Sequence, residues 1–176
     1  MNAIILYGSR YGTAQRYAQA LADQTGLPAR PFQQTGDLSE YDTFVYFGSL
    51  YAGKILGLSK TLSALNPEQV DRLLVATVGL ADPKVPESVA TARSSLDKQV
   101  PPALLEKTHH VHLRGCIDYE VLTLKHRLMM KGLVSYLKKQ PPEKQTRENR
   151  EIIDTYGQKA DFVDLSRLDQ ILAWLG

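Results

Sequence analysis

The chain has 176 residues, 43% of them hydrophobic and 23% charged, with 21 Lys+Arg against 19 Asp+Glu for a formal net charge of +2. These values are close to globular averages and exclude wholesale disorder, and the charge balance offers no basis for a nucleic-acid partner. A single cysteine, Cys116, excludes an intramolecular disulfide and a cysteine zinc cage.

The N-terminal run Met1-Asn-Ala-Ile-Ile-Leu-Tyr7 lacks the basic lead and cleavage site of a signal peptide. No apolar run approaches the roughly 20 residues of a membrane span. A cytoplasmic location is therefore expected.

In chain order, Ala3–Tyr7 reads as a strand ending at Gly8-Ser9. Thr13–Thr25 sets Ala14, Tyr17, Ala18, Leu21 and Ala22 at helical spacing and closes at Gly26-Leu-Pro28. Ala29–Gln34 is a weaker strand, and Thr43–Gly48 a strong one, apolar nearly throughout. Lys54–Leu65 is expected to be helical up to Asn66-Pro67. Leu73–Val78 is a further apolar strand before Gly79, and Pro86–Gln99 reads as a helix. Pro101-Pro102 interrupts the chain ahead of a fifth strand, His109–Arg114, and Ser166–Leu175 forms a terminal helix capped by Ser166.

Apolar strands alternating with helices are covered on both faces, the pattern of a parallel sheet between two helical layers. Five strands in this length favour an open doubly wound sheet over an eightfold barrel, which takes about 250 residues. The whole chain, 1–176, is expected to be a single domain. Residues 118–164 exceed the few residues a minimal domain needs here and read as an insertion before the last helix. Within it Leu122–Lys139 is a helical segment stopped by Gln140-Pro141-Pro142, and Glu143–Arg150 is almost wholly charged or polar.

Ligands of such sheets bind at the carboxyl ends of the strands. The first strand is followed by Gly8-Ser9-Arg10-Tyr11-Gly12-Thr13-Ala14, where backbone N–H groups, hydroxyls and a helix start can converge on a phosphate. Only Gly8 and Gly12 are present, so the Gly-x-Gly-x-x-Gly dinucleotide fingerprint is missing, and no Gly-Lys-Ser/Thr of a Walker loop occurs. A mononucleotide suits the loop; a plain helix cap is the alternative. Ser49-Leu50-Tyr51-Ala52-Gly53 after the third strand and Gly79-Leu80-Ala81-Asp82 after the fourth can flank a flat ring, with Tyr51 stacking on one face.

Together Ser9-Arg-Tyr-Gly-Thr-Ala, Gly48-Ser-Leu-Tyr-Ala-Gly and Val78-Gly-Leu-Ala-Asp resemble the flavodoxin family. Its usual phosphate loop is Ser/Thr-x-Thr-Gly-x-Thr; Ser9 and Gly12 match, while Tyr11 and Ala14 stand at hydroxyl positions, with Thr13 beside the latter. The resemblance implies the flavodoxin-like strand order 2-1-3-4-5. It also implies noncovalent FMN held at Ser9–Ala14, with the Ser49–Gly53 and Gly79–Asp82 loops around its ring. The long insert with Tyr119 and a basic helix, and the Phe162-Val-Asp-Leu segment, are similar to the bacterial menaquinone-dependent protoporphyrinogen oxidases. That likeness implies an oxidoreductase acting on a quinone- or porphyrin-like substrate. A flavodoxin-type electron carrier between protein partners and a non-redox binding protein with an empty site are the alternatives.

Around the 122–139 helix, Leu122, Met129, Met130, Leu133, Val134, Tyr136 and Leu137 gather on one face. Lys125, Arg127, Lys131, Lys138 and Lys139 lie mainly on the other, and no acid occurs. Such a helix can pack on the domain or lie on an anionic membrane, which would make the protein peripheral at the inner face. The insert is expected to be separable from cofactor binding. His109, His110 and His112 form a strand cluster without the acids or cysteines of a metal set, and are read as structural. Cys116 is read as a spectator thiol beside the ring edge.

Overall fold

The computed structural model describes residues 2–145 and 147–176, and the side chains of these except Arg147 and Glu148. The polar run expected at 143–150 includes Thr146, which lies outside the described residues. The chain runs β1 (Ala3–Gly8), α1 (Thr13–Thr25), β2 (Ala29–Pro31), β3 (Thr43–Tyr51), β4 (Lys54–Ile55) and α2 (Leu58–Ser63). It continues through β5 (Arg72–Gly79), α3 (Pro86–Asp97), α4 (Pro102–Leu105), β6 (Thr108–Arg114) and β7 (Cys116–Asp118). α5 (Leu124–Lys139), α6 (Arg147–Asp154), β8 (Lys159–Asp161) and α7 (Asp169–Leu175) complete it.

The sheet order is β2-β1-β3-β5-β6, all parallel, which is the expected doubly wound 2-1-3-4-5 arrangement. Its central strands are apolar at nearly every position because both faces are covered. On one face Ile5, Val45, Phe47 and Leu74 meet Tyr17, Ala18 and Leu21 of α1 and Ile171 and Leu175 of α7. On the other Ile4, Leu6, Phe44, Tyr46 and Val75 meet Leu58 and Leu62 of α2, Leu96 of α3 and Leu104 of α4. Register alignment brings Gly8 beside Gly48, Ser49 beside Val78 and Gly79 beside Arg114, so the strand ends form one rim.

Four expectations are corrected. β3 does not stop at Gly48; it runs to Tyr51 and pairs antiparallel with β4, Tyr51 facing Lys54. The two turn residues, Ala52 (φ 47°) and Gly53 (φ 73°), are both left-handed, as the favoured two-residue hairpin turn requires. The helix expected from Lys54 therefore starts only at Leu58, after Gly57. The terminal helix starts not at Ser166 but at Asp169, with Leu168 at its N-cap and no side-chain cap; Asp164 caps the segment before it, its carboxylate accepting from the Ser166 N–H (3.1 Å) and hydroxyl (2.6 Å). A short 3-10 turn then leads into α7. Strand β2 is only three residues long, shorter than expected.

The insertion builds an annex. β7 and β8 pair antiparallel, and Ile117, Leu122, Met130 and Ala160 form a third apolar cluster with Tyr119, Ile152, Tyr156 and Phe162 packed around it. Arg114 at the end of β6 bolts the annex to the sheet. Its Nε donates to the Leu80 carbonyl (3.0 Å), its guanidinium pairs with Glu151 of α6 (2.5 Å), and it lies 3.8 Å over the Phe162 ring. α5 turns Met130, Val134 and Leu137 inward and leaves Leu124, Leu128 and Tyr136 exposed.

On β6, His110 and His112 both reach the buried Thr77 hydroxyl, at 3.0 and 2.8 Å. Burial first, then His112 and Arg93, hold His110 down at about 4. The opposite neighbour, His109, stacks on Trp174 of α7.

Candidate functional site

Gly12, with φ 87°, ends the turn after β1 and stands at the N-terminus of α1 without a side-chain cap. A left-handed glycine here turns the backbone so that the first-turn amides of Thr13, Ala14 and Gln15, which have no intrahelical acceptors, face outward from the helix start. The Ser9 hydroxyl is buried and has no hydrogen-bond partner in the structure. An unpartnered buried hydroxyl costs roughly 1–3 kcal/mol, so its retention beside a helix N-terminus fits an anion acceptor arriving from outside. The Thr13 hydroxyl sits 3.0 Å from the Cys116 sulfur. Ala14 is fully buried in the core, so only its amide is available to a ligand.

The loop borders a cleft that encloses about 830 Å³ of space, its open mouth included. A concave, largely apolar hollow with a few convergent polar groups is the usual form of a small-molecule site. Its walls come from all three expected loops: Arg10, Tyr11 and Thr13; Ser49, Leu50 and Tyr51; Gly79 and Leu80. Ser9, Gly12 and Ala14 do not line the cleft. Ala52 and Gly53 form the hairpin tip and Ala81 and Asp82 brace their own loop, and none of the four lines the cleft. The Ala81 carbonyl accepts from His112 Nε2 (3.2 Å) and the Asp82 carboxylate accepts from the Lys84 N–H (2.9 Å).

The annex closes the cleft. Cys116, Ile117 and Asp118 of β7 contribute one side, and Val121, Leu122, His126, Met129 and Met130 the roof. The helix expected to be separable from the site is therefore one of its walls, and Cys116 is a lining residue. His126 is only 3% exposed. Its Nδ1 is hydrogen-bonded to the Tyr11 hydroxyl, and its ring centroid lies 4.4 Å from that of Tyr51. Burial, with the positive charges of Arg10 and Lys125, pushes the imidazole below its ordinary range. The sequence signal was the i, i+4 pair His126 and Met130 on the buried face, but periodicity says only that a face is covered, not by what.

Among the described residues, no group of three or more His, Cys, Asp or Glu could hold a metal, and no helix is long and apolar enough to cross a membrane.

No curated protein matches the chain. Among solved structures it is similar to a flavoprotein of Bacteroides uniformis, at 13% identity and a TM-score of 0.44, covering 65% of this chain and 90% of that one. It is also similar to the Trp repressor binding protein of Bacillus subtilis, at 17% identity and 0.43, covering 64% and 83%. A cysteine-to-alanine mutant of flavodoxin from Pseudomonas aeruginosa matches at 21% identity and 0.42, covering 77% and 96%. The sequence also matches the flavodoxin domain over residues 4–144, well over half of its length. With that match and the strand order above, the chain belongs to the flavodoxin domain family.

Proposed function

We propose that the protein binds FMN in this cleft and is an oxidoreductase for a hydrophobic, planar substrate of the quinone or porphyrin kind, similar to the menaquinone-dependent protoporphyrinogen oxidases. The observation that carries the cofactor is the partnerless Ser9 hydroxyl beside the uncapped start of α1, at the edge of a cleft bounded by three strand-end loops.

The residues present fit the group. The Ser9 and Thr13 hydroxyls and the first-turn amides would hold the phosphate, with Arg10 adding positive charge. Tyr51 offers a stacking face, and Gly79 and Leu80 bring backbone close to the ring edge. Val121, Leu122, Met129 and Met130 make their side of the cleft apolar. When bound, FMN supplies one- and two-electron redox chemistry.

The purified protein, mixed with FMN, is expected to acquire a bound-flavin absorption spectrum. Ser9→Ala should weaken binding by about tenfold or more, since hydrogen bonds to charged groups contribute roughly 1.5–3 kcal/mol. Protein that leaves FMN free in solution sinks the reading. The loaded protein should then oxidise protoporphyrinogen IX with a menaquinone analogue as acceptor; no turnover favours the electron-carrier alternative.

We also propose that the exposed Leu124, Leu128 and Tyr136, set among Lys125, Lys131, Lys138 and Lys139 on an acid-free helix, rest on an anionic bilayer. The protein should co-sediment with vesicles containing anionic lipid and be released by salt. Equal binding to purely zwitterionic vesicles overturns this.

A further inference from the structure

Of the two loops expected to flank a flat ring, one carries an aromatic side chain and the other does not. Tyr51 belongs to the β3–β4 hairpin, but the loop after β5 offers only Gly79, Leu80 and Ala81. The annex supplies what is missing. We propose that the His126 imidazole, carried on α5, is the outer face of the ring site, so that a flat ligand is clamped between Tyr51 and His126 with the insertion closed over it. This rests on the FMN reading and extends it to a residue outside the three strand-end loops.

Four features support it. First, His126 is almost fully buried and lines the cleft. An apolar residue would fill a plain packing position without the cost of burying a polar ring. Second, its ring rests on Tyr51 at 4.4 Å and 53°, a tilted contact rather than a parallel stack. Opening that contact by one ring thickness leaves a slot with aromatic walls on both sides.

Third, the imidazole is oriented from the phosphate loop. The Tyr11 hydroxyl accepts weakly from the Thr123 N–H (3.4 Å) and is hydrogen-bonded to His126 Nδ1, with the two rings edge to face at 5.5 Å. In the tautomer protonated at Nε2, Nδ1 accepts from the Tyr11 hydroxyl and the Nε2–H, which has no acceptor among the described residues, is free to donate. Fourth, burial together with Arg10 and Lys125 favours the neutral ring, the form that stacks on an electron-poor heterocycle.

The test uses the full chain and FMN and riboflavin titrations followed by flavin fluorescence, for the wild type, His126→Gln and His126→Phe. Gln retains an acceptor for the Tyr11 hydroxyl but has no ring; Phe retains the ring but has no acceptor. His126→Gln is expected to weaken both ligands about tenfold or more, in the range for loss of one aromatic stack, while His126→Phe stays within about threefold of the wild type. Because the contact is with the ring, the loss should be alike for FMN and riboflavin.

A Gln variant that binds like the wild type, with a weakened Phe variant, shows that the imidazole only latches the helix, and overturns the proposal. So does equal binding by all three. If the Phe variant does not fold, the His126 ring signals of isotopically labelled wild-type protein decide: unchanged positions on adding FMN overturn the clamp. Wild-type protein that ignores both flavins refutes the flavin reading itself, a separate outcome.

Discussion

Gly8→Ala is expected to lower the stability of the protein by about 3 kcal/mol or more, at the upper end for overpacking a close contact. For a chain of this size that corresponds to a fall in Tm of roughly 6–12 °C. Gly8 is the last residue of β1, and a Cβ there would fall inside the van der Waals shell of the Leu56 carbonyl oxygen and 2.8 Å from the Tyr46 hydroxyl. These atoms are themselves joined, because the Tyr46 hydroxyl donates to the Leu56 carbonyl at 2.6 Å. A methyl group must therefore displace backbone rather than the end of a flexible side chain. Gly79→Ala is the control: its Cβ would meet nothing nearer than 3.5 Å, and its φ is not left-handed. That variant should stay within about 0.5 kcal/mol of the wild type. Thermal unfolding of the two variants checks the contrast, and equal midpoints would show that the approach of β1 to Leu56 is not as close as described.

The second large effect is expected at Arg114. Arg114→Met removes a donor from the Leu80 carbonyl, a charge from Glu151 and a cation from the face of Phe162. Breaking a fully buried pair costs roughly 3–5 kcal/mol; with 15% and 28% of the two side chains exposed, about 2–3 kcal/mol is expected. The loss should be local. Hydrogen exchange should quicken in β7, β8 and α6, which this side chain helps to hold against the sheet, while β1, β3 and β5 keep their protection. Arg114→Lys should recover less than half, because an ammonium cannot both stack on Phe162 and donate along two directions. Uniform loss of protection across the central sheet would mean that Arg114 supports the whole fold rather than the annex.

The parallel sheet was legible because burial on both faces leaves an unambiguous mark. Thr43–Phe47 and Leu73–Val78 are apolar at consecutive positions, a pattern that strands exposed on one face do not show. α1 was legible to the residue, from Ala14, Tyr17, Ala18, Leu21 and Ala22 at helical spacing and Gly26 as its left-handed stop. The β3–β4 hairpin was not. Its turn is Ala52-Gly53, and alanine at φ 47° carries none of the signal that asparagine or aspartate would. The start of the last helix was misplaced by three residues because Ser166 looks like a cap in sequence, whereas Asp164 caps a 3-10 turn first and α7 begins only at Asp169.

The candidate site divides in the same way. The segments expected at Ser9–Ala14, Ser49–Gly53 and Gly79–Asp82 are each contiguous in the chain and follow strands, so local order alone singles them out and doubly wound topology assembles them, although Ala52, Gly53, Ala81 and Asp82 do not line the cleft. What the tertiary structure alone decided is the roof. His126 meets Tyr11 across 115 residues of chain, and Cys116, Asp118 and Met130 join the same wall through an antiparallel ribbon that closes only when β8 returns. Helical periodicity marks a face as covered, but the identity of the covering surface depends on contacts between distant segments, and those are settled by packing rather than by neighbours in sequence.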